Sequence, residues 1–246
     1  MTGHGPPRPW TKGIPLLHPW ANRLGGLAYG DVELDPGSPD LYFDPNGLPL
    51  HGLRSAATGW ETAHSDTTLS GRREFAGLPE FPFDHTLTVH AELDDALTIT
   101  TTLTAGPKRV PVAFGYHPFF VLPGVPRAEW EITLPVAERL ELDDKGIPTG
   151  KRAPAGHLDG PLGARTFDDG FTTRPGAFVL AGGGRRIALT CHHGYPYAQL
   201  FAPAHVDVVC FEPMTAPADA LRHSPGTVAP GEAYEARFSV SVSRAA

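Results

Sequence analysis

Cysteine is scarce in this chain: Cys191 and Cys210 are the two among 246 residues, and no Cys-x-x-Cys spacing occurs. That excludes a disulfide framework and favours a reducing, cytoplasmic setting. Both lie in apolar or β-rich runs, where a free thiol behaves as a small buried hydrophobe. Basic charge is short as well. Twenty Lys and Arg face 27 Asp and Glu, for a formal net charge of -7, so no nucleic-acid partner is expected. Arg72-Arg73 and Arg185-Arg186 are isolated pairs that read as strand ends or turns. Nothing approaches the ~20 apolar residues of a membrane span. Met1 to Trp10 lacks the apolar stretch of a secretory signal. The chain reads as soluble and intracellular.

A sustained 3.6-residue apolar period is missing too; at most Ala216 to Arg222 makes a short helix. What is present instead is period-two alternation, which turns one face of a strand to the core and the other to water. Leu87 to Leu93 and Leu97 to Leu103 alternate in this way around Asp94-Asp95-Ala96, a predicted hairpin. Phe238 to Val242 is a terminal strand of the same kind. Further strands are expected near 27–34, 67–75, 110–116, 129–134, 177–181, 185–191, 197–201 and 206–211, with Gly182-Gly183-Gly184 as a hairpin turn. Gly (28) and Pro (27) are spread along the chain as punctuation rather than gathered in a linker. Many strands, regular turns and almost no helix predict an all-β sandwich or barrel. One domain over 1–246 is expected, with 1–12 as an irregular N-terminal segment; a chain of this length buries roughly 70–75% of its unfolded surface without staples.

Several catalytic patterns are absent. There is no His-Glu-x-x-His, no Gly-x-Ser-x-Gly and no P-loop. His192-His193 are adjacent, so on a strand they point to opposite faces and do not share a metal. Four other segments do combine an ionisable or polar group with restrictive backbone. In Gly115-Tyr116-His117-Pro118-Phe119-Phe120, Pro118 biases His117 toward extended backbone, beside aromatic rings; the alternative is a hydrogen-bonded core histidine. Glu212, in Phe211-Glu212-Pro213-Met214-Thr215, closes an apolar strand. Partial burial there would raise its pKa toward that of a neutral-pH base, whereas a cap or ion pair is the structural alternative. His51 precedes Gly52 and either donates to a ligand oxygen or sits at the surface. Arg23 follows Asn22 in a loop stiffened by Pro19 and Trp20, and its fork suits adjacent hydroxyls or a carboxylate. Trp20 either stacks on a ligand ring or belongs to the core. Asp168, Asp169 and Glu212 also leave open the paired carboxylates of glycoside hydrolysis.

The order Asn22-Arg23, His51-Gly52, Gly115 to Phe120, Asp168-Asp169-Gly170-Phe171 and Glu212 to Thr215 resembles the aldose 1-epimerase (galactose mutarotase) family over nearly the whole chain. The resemblance implies a large antiparallel β-sandwich with its cleft across one sheet. It implies Glu212 as general base at the anomeric hydroxyl and His117 as general acid at the ring oxygen. His51, Arg23, Asn22 and Asp168 would bind the sugar, with no metal or organic cofactor. A hexose 6-phosphate epimerase, with Arg54, Arg72 and Arg73 as rim cations, and a non-catalytic sugar-binding module are the competing readings. Family members usually carry one or more strands before the Asn-Arg loop, so a sandwich lacking N-terminal strands is expected. The sugar and the oligomeric state are not indicated.

Overall fold

The computed structural model describes residues 13–223 and 225–244; the expected irregular segment 1–12 lies outside them. Two large antiparallel sheets form a β-sandwich, one of the two architectures the alternating pattern allows and the one the resemblance implies. In the nine-stranded sheet the order is Gly160–Pro161, Glu131–Thr133, Ala177–Gly182, Arg185–His193, Ala233–Arg244, Leu97–Ala105, His85–Leu93, Thr68–Phe75 and Glu61–His64. Its inward positions are apolar and meet across strands. Leu87 pairs with Leu103, and Ile99 with Phe238. Both expected hairpins are present, closing at Leu93–Leu97 and at Gly182–Arg185.

The eight-stranded sheet runs Leu16–Leu17, Gly115–Tyr116, Val209–Met214, Tyr197–Ala202, Phe167–Thr173, Val136–Leu142 and Pro148–Pro154, and Phe119–Phe120 also pairs with Val209–Met214. Among the described residues, the two-residue strand Leu16–Leu17 alone precedes the Asn22-Arg23 loop. A continuous cluster of buried side chains between the sheets includes Trp20, Trp130, Phe114, Phe171, Phe178, Phe211 and Phe238. Trp20 therefore serves the core and not a ligand ring; it is 1% exposed. One polar pair crosses this core: Thr101 Oγ1 of the nine-stranded sheet lies 2.7 Å from Tyr116 OH of the other. It ties the strand that precedes His117 to the opposite layer, and each hydroxyl satisfies the other.

Some bounds differ from expectation. The strand expected at 206–211 spans Val209–Met214, so Glu212 lies inside it rather than closing it. The expected 110–116 strand is two short pieces, Val110–Pro111 and Gly115–Tyr116. The helix expected over Ala216 to Arg222 is a single 3-10 turn, Ala220–Arg222.

Candidate active site

Strand register brings the two central residues together. Gly115 pairs with Met214, and Phe119 pairs with Cys210, both antiparallel on Val209–Met214. Two residues in from each pair, His117 faces Glu212. Pro118 has no N–H to give to a ladder, and the His117 N–H donates instead to Pro15 O at 3.0 Å. The chain thus lifts off the ladder at the point where the two side chains must meet. Gly115 makes the crossing possible: a Cβ there would lie 2.7 Å from Pro213 O.

His117 Nε2 is 3.2 Å from Glu212 Oε1, with the side chains 11% and 2% exposed. Phe119 stacks on the His117 ring at 4.3 Å, and Phe201 meets it edge-on. Burial among these groups pushes His117 down to about 4. Burial also raises Glu212 well above the carboxylate range; Asp168 adds to the rise and Arg23 opposes it. Both shifts favour neutral forms, so the pair holds one mobile proton between them. Glu212 Oε2 and the nearby His51 Nδ1 are shielded from solvent and have no protein partner.

His51 joins from a loop crossing. Its ring stands edge-on to His117 at 5.3 Å, and its backbone N–H donates to Asn22 O at 2.8 Å. Burial, followed by His117 and Arg23, lowers its pKa well below the usual value. Asn22 and His51 have φ of 60° and 63°, which few residues tolerate. Gly52 allows the segment to press on its neighbour: a Cβ there would lie 2.1 Å from His18 O.

Arg23 is held from three sides. Its Nε donates to Asp44 Oδ2 and its Nη2 to Asp168 Oδ2, both at 2.9 Å. Its Nη1 reaches Asn22 Oδ1 at 3.3 Å. Asn22 Oδ1 also accepts the Arg23 N–H at 2.8 Å, so this amide oxygen serves the loop itself. Asp168 lies on Phe167–Thr173, two strands from Glu212. Between them Gln199, paired with Glu212 in register, donates Nε2 to Asp168 Oδ1 at 2.7 Å. Gln199, Phe201 and Asp44 were not singled out from sequence. Gln199 and Phe201 had a detectable signal, since they share the Tyr197-Gln199-Phe201 face of a predicted strand.

Other candidates lie apart. Asp169 faces away from Asp168 and is tied to Arg139. Arg54 lies over the Tyr42 ring, Arg72 is paired with Glu61 and Glu74, and Arg73 donates to the Ser55 and Thr58 carbonyls. Two surface cavities of about 400 and 440 Å³ are centred on Ser70, Thr88 and His90 and on Arg139, Leu142 and Asp169. Neither is lined by His117 or Glu212; in the first, Glu61 is paired with Arg72 and His90 with Ser70, and in the second Asp169 is paired with Arg139. Among the described residues, no group of three or more His, Cys, Asp or Glu is arranged to hold a metal ion. No helix among them is long and apolar enough to cross a membrane.

The sandwich and a buried histidine–carboxylate pair at its strand crossing define a class that sequence comparison makes specific. The profile of the aldose 1-epimerase family matches residues 9–241. The chain belongs to that family. Similar solved structures include a galactose mutarotase-like protein from Clostridium acetobutylicum, 16% identical with TM-score 0.81, covering 97% of this chain and 81% of that one. The GalM/aldose epimerase homologue from C. elegans is 17% identical with TM-score 0.78, covering 94% and 82%. Galactose 1-epimerase from Lactobacillus acidophilus is 16% identical with TM-score 0.73, covering 94% and 80%. At these identities the likeness is one of fold. No curated protein matches the chain.

Proposed function

We propose that this chain is an aldose 1-epimerase that interconverts the α and β anomers of a free aldohexose in the cytoplasm. The observation that carries this reading is the 3.2 Å contact between His117 Nε2 and Glu212 Oε1, a buried couple sharing one proton. Ring opening needs that property: the anomeric O1–H loses a proton while O5 gains one. With the proton on His117, Glu212 takes the O1 proton and His117 protonates O5 as the C1–O5 bond breaks. The couple is then left with its proton on Glu212. Rotation about C1–C2 and the reverse transfers close the ring in either configuration. No atom is gained or lost, and no cofactor enters.

Sugar binding exchanges the direct 3.2 Å His117–Glu212 contact for one bond from each residue to the substrate. Neutral His51, the Arg23 cation and the Asp168 carboxylate hold the remaining oxygens, while Asn22 sets the Arg23 loop. Each positioned acid or base contributes typically about 10²–10⁴-fold. A neutral sugar is favoured over a 6-phosphate because Arg54, Arg72 and Arg73 are engaged elsewhere and Arg23 already meets two carboxylates. A binding module has no use for a shared-proton couple. The test is anomerisation of glucose, galactose and glucose 6-phosphate at equal concentration. Faster turnover of a free sugar is expected, and preference for the phosphate would overturn the substrate assignment.

A further inference from the structure

Asp44 was not singled out in the sequence; in the structure it opens the turn Asp44-Pro45-Asn46-Gly47. Its Oδ1 accepts the Asn46 and Leu48 N–H groups, each at 2.9 Å. The backbone closes the turn through Asp44 N to Leu48 O at 2.9 Å and Gly47 N to Asp44 O at 3.0 Å. A turn needs only one carboxylate oxygen. The other, Oδ2, is aimed at Arg23 Nε at 2.9 Å, with the Asp44 side chain 1% exposed and that of Arg23 17% exposed. A carboxylate this buried is costly unless paired, and here its partner is the cation of the candidate active site.

The contact does two things. A guanidinium is a planar fork, so fixing Nε fixes where both Nη groups point. It leaves Nη2 on Asp168, which is 45% exposed and could not immobilise Arg23 unaided. It also offsets the Arg23 charge from behind, so that Asp168 acts on Glu212 less opposed. The charged or titratable groups around Glu212 are His117, His51, Asp168, Arg23 and the thiol of Cys210.

We propose that Asp44 is a positioning residue for the reaction: it orients Arg23 toward Asp168 and the sugar, and neutralises it. The proposal rests on the epimerase reading for its kinetic arm only.

The experiment compares wild type, Asp44→Asn, Arg23→Lys and the double variant on glucose and galactose. It records kcat/KM against pH and follows the Arg23 Nε–H resonance by NMR. Asp44→Asn keeps the shape and removes the charge; Arg23→Lys keeps the charge and removes the fork. Each should lose about 100-fold in kcat/KM, the scale of a small misplacement at a reacting centre. The double variant should be no worse than the worse single one, because both act through one contact. In Asp44→Asn the pH profile should move to lower pH, since removing a negative charge lets Glu212 release its proton sooner; in Arg23→Lys it should stay in place.

Multiplicative losses, or wild-type kcat/KM in either single variant, would overturn the proposal. If Asp44→Asn does not fold, Arg23→Lys decides: a loss with an unmoved profile supports the role, and full activity removes it. If wild type accelerates neither sugar, the functional reading fails separately. The resonance then decides: a slowly exchanging Arg23 Nε–H signal lost in Asp44→Asn upholds the positioning role, and one unchanged in that variant ends it.

Discussion

At the scale of the residue, the proposed chemistry rests on His117 and Glu212, two groups whose ordinary titration is suppressed by burial. The proton is shared, so the pH limits belong to the His117–Glu212 couple. Below about pH 4, where His117 takes up a proton, the couple holds two and Glu212 is no longer a base. Above the raised pKa of Glu212 the couple holds none, and no acid remains for O5. A plot of kcat/KM against pH should therefore be bell-shaped, with an acid limb near pH 4 and an alkaline limb well above the usual carboxylate range. An alkaline limb at the pKa of a solvent-exposed glutamate would contradict this. His117 was legible in sequence because Pro118 and the flanking aromatics act locally. Asp44 was not, since an aspartate in a turn looks the same with or without a site above it; Gln199 lay on the face of an expected strand, where its partner Asp168 across the sheet could not be read from local pattern.

At the scale of the element, the site is a product of register and of crossings too tight for side chains. The segment carrying His51 is pinned where Gly52 meets the His18 carbonyl, with φ of 76° at Gly52. Gly52→Ala adds a Cβ that collides with backbone and strains a left-handed conformation. The cost should be about 3 kcal/mol or more, read as a lower midpoint in urea unfolding; an unchanged midpoint would show that the crossing yields. Local pattern predicted the strands with clean alternation. It missed Val136–Leu142, Pro148–Pro154 and Phe167–Thr173, whose charged or Asp-Asp-Gly sequences resemble loops until a neighbouring strand pairs with them. It also closed at Glu212 a strand that continues to Met214.

At the scale of the whole molecule, four histidines are held neutral by burial: His18, His51, His85 and His117. Two of them form a buried pair. His85 Nδ1 donates to Phe83 O at 2.6 Å, which leaves its Nε2 to accept from His18 Nε2 at 2.8 Å. A proton on His85 Nε2 would remove that acceptor. All four folded-state pKa values lie below the unfolded one, so the unfolded chain binds more protons as acid is added. Stability should be highest above pH 6.5 and fall from there toward pH 4, by about 1.4 kcal/mol per pH unit for each histidine protonated only when unfolded. Thermal unfolding across that window checks it; a flat midpoint would mean that the histidines are solvated. Glu212 runs the other way. Its raised pKa gives a contribution present below the ordinary glutamate value and lost as pH rises through the folded one. Glu212→Gln should thus be at least as stable as wild type in alkali.

The most direct measurement is anomeric exchange by NMR on freshly dissolved α-glucose and α-galactose, comparing wild type with Glu212→Gln and His117→Asn at pH 7. Wild type should accelerate exchange of at least one sugar, and each folded variant should lose about 10²–10⁴-fold. A Glu212→Gln variant that turns over at the wild-type rate would contradict the assignment of the His117–Glu212 couple as the acid and base.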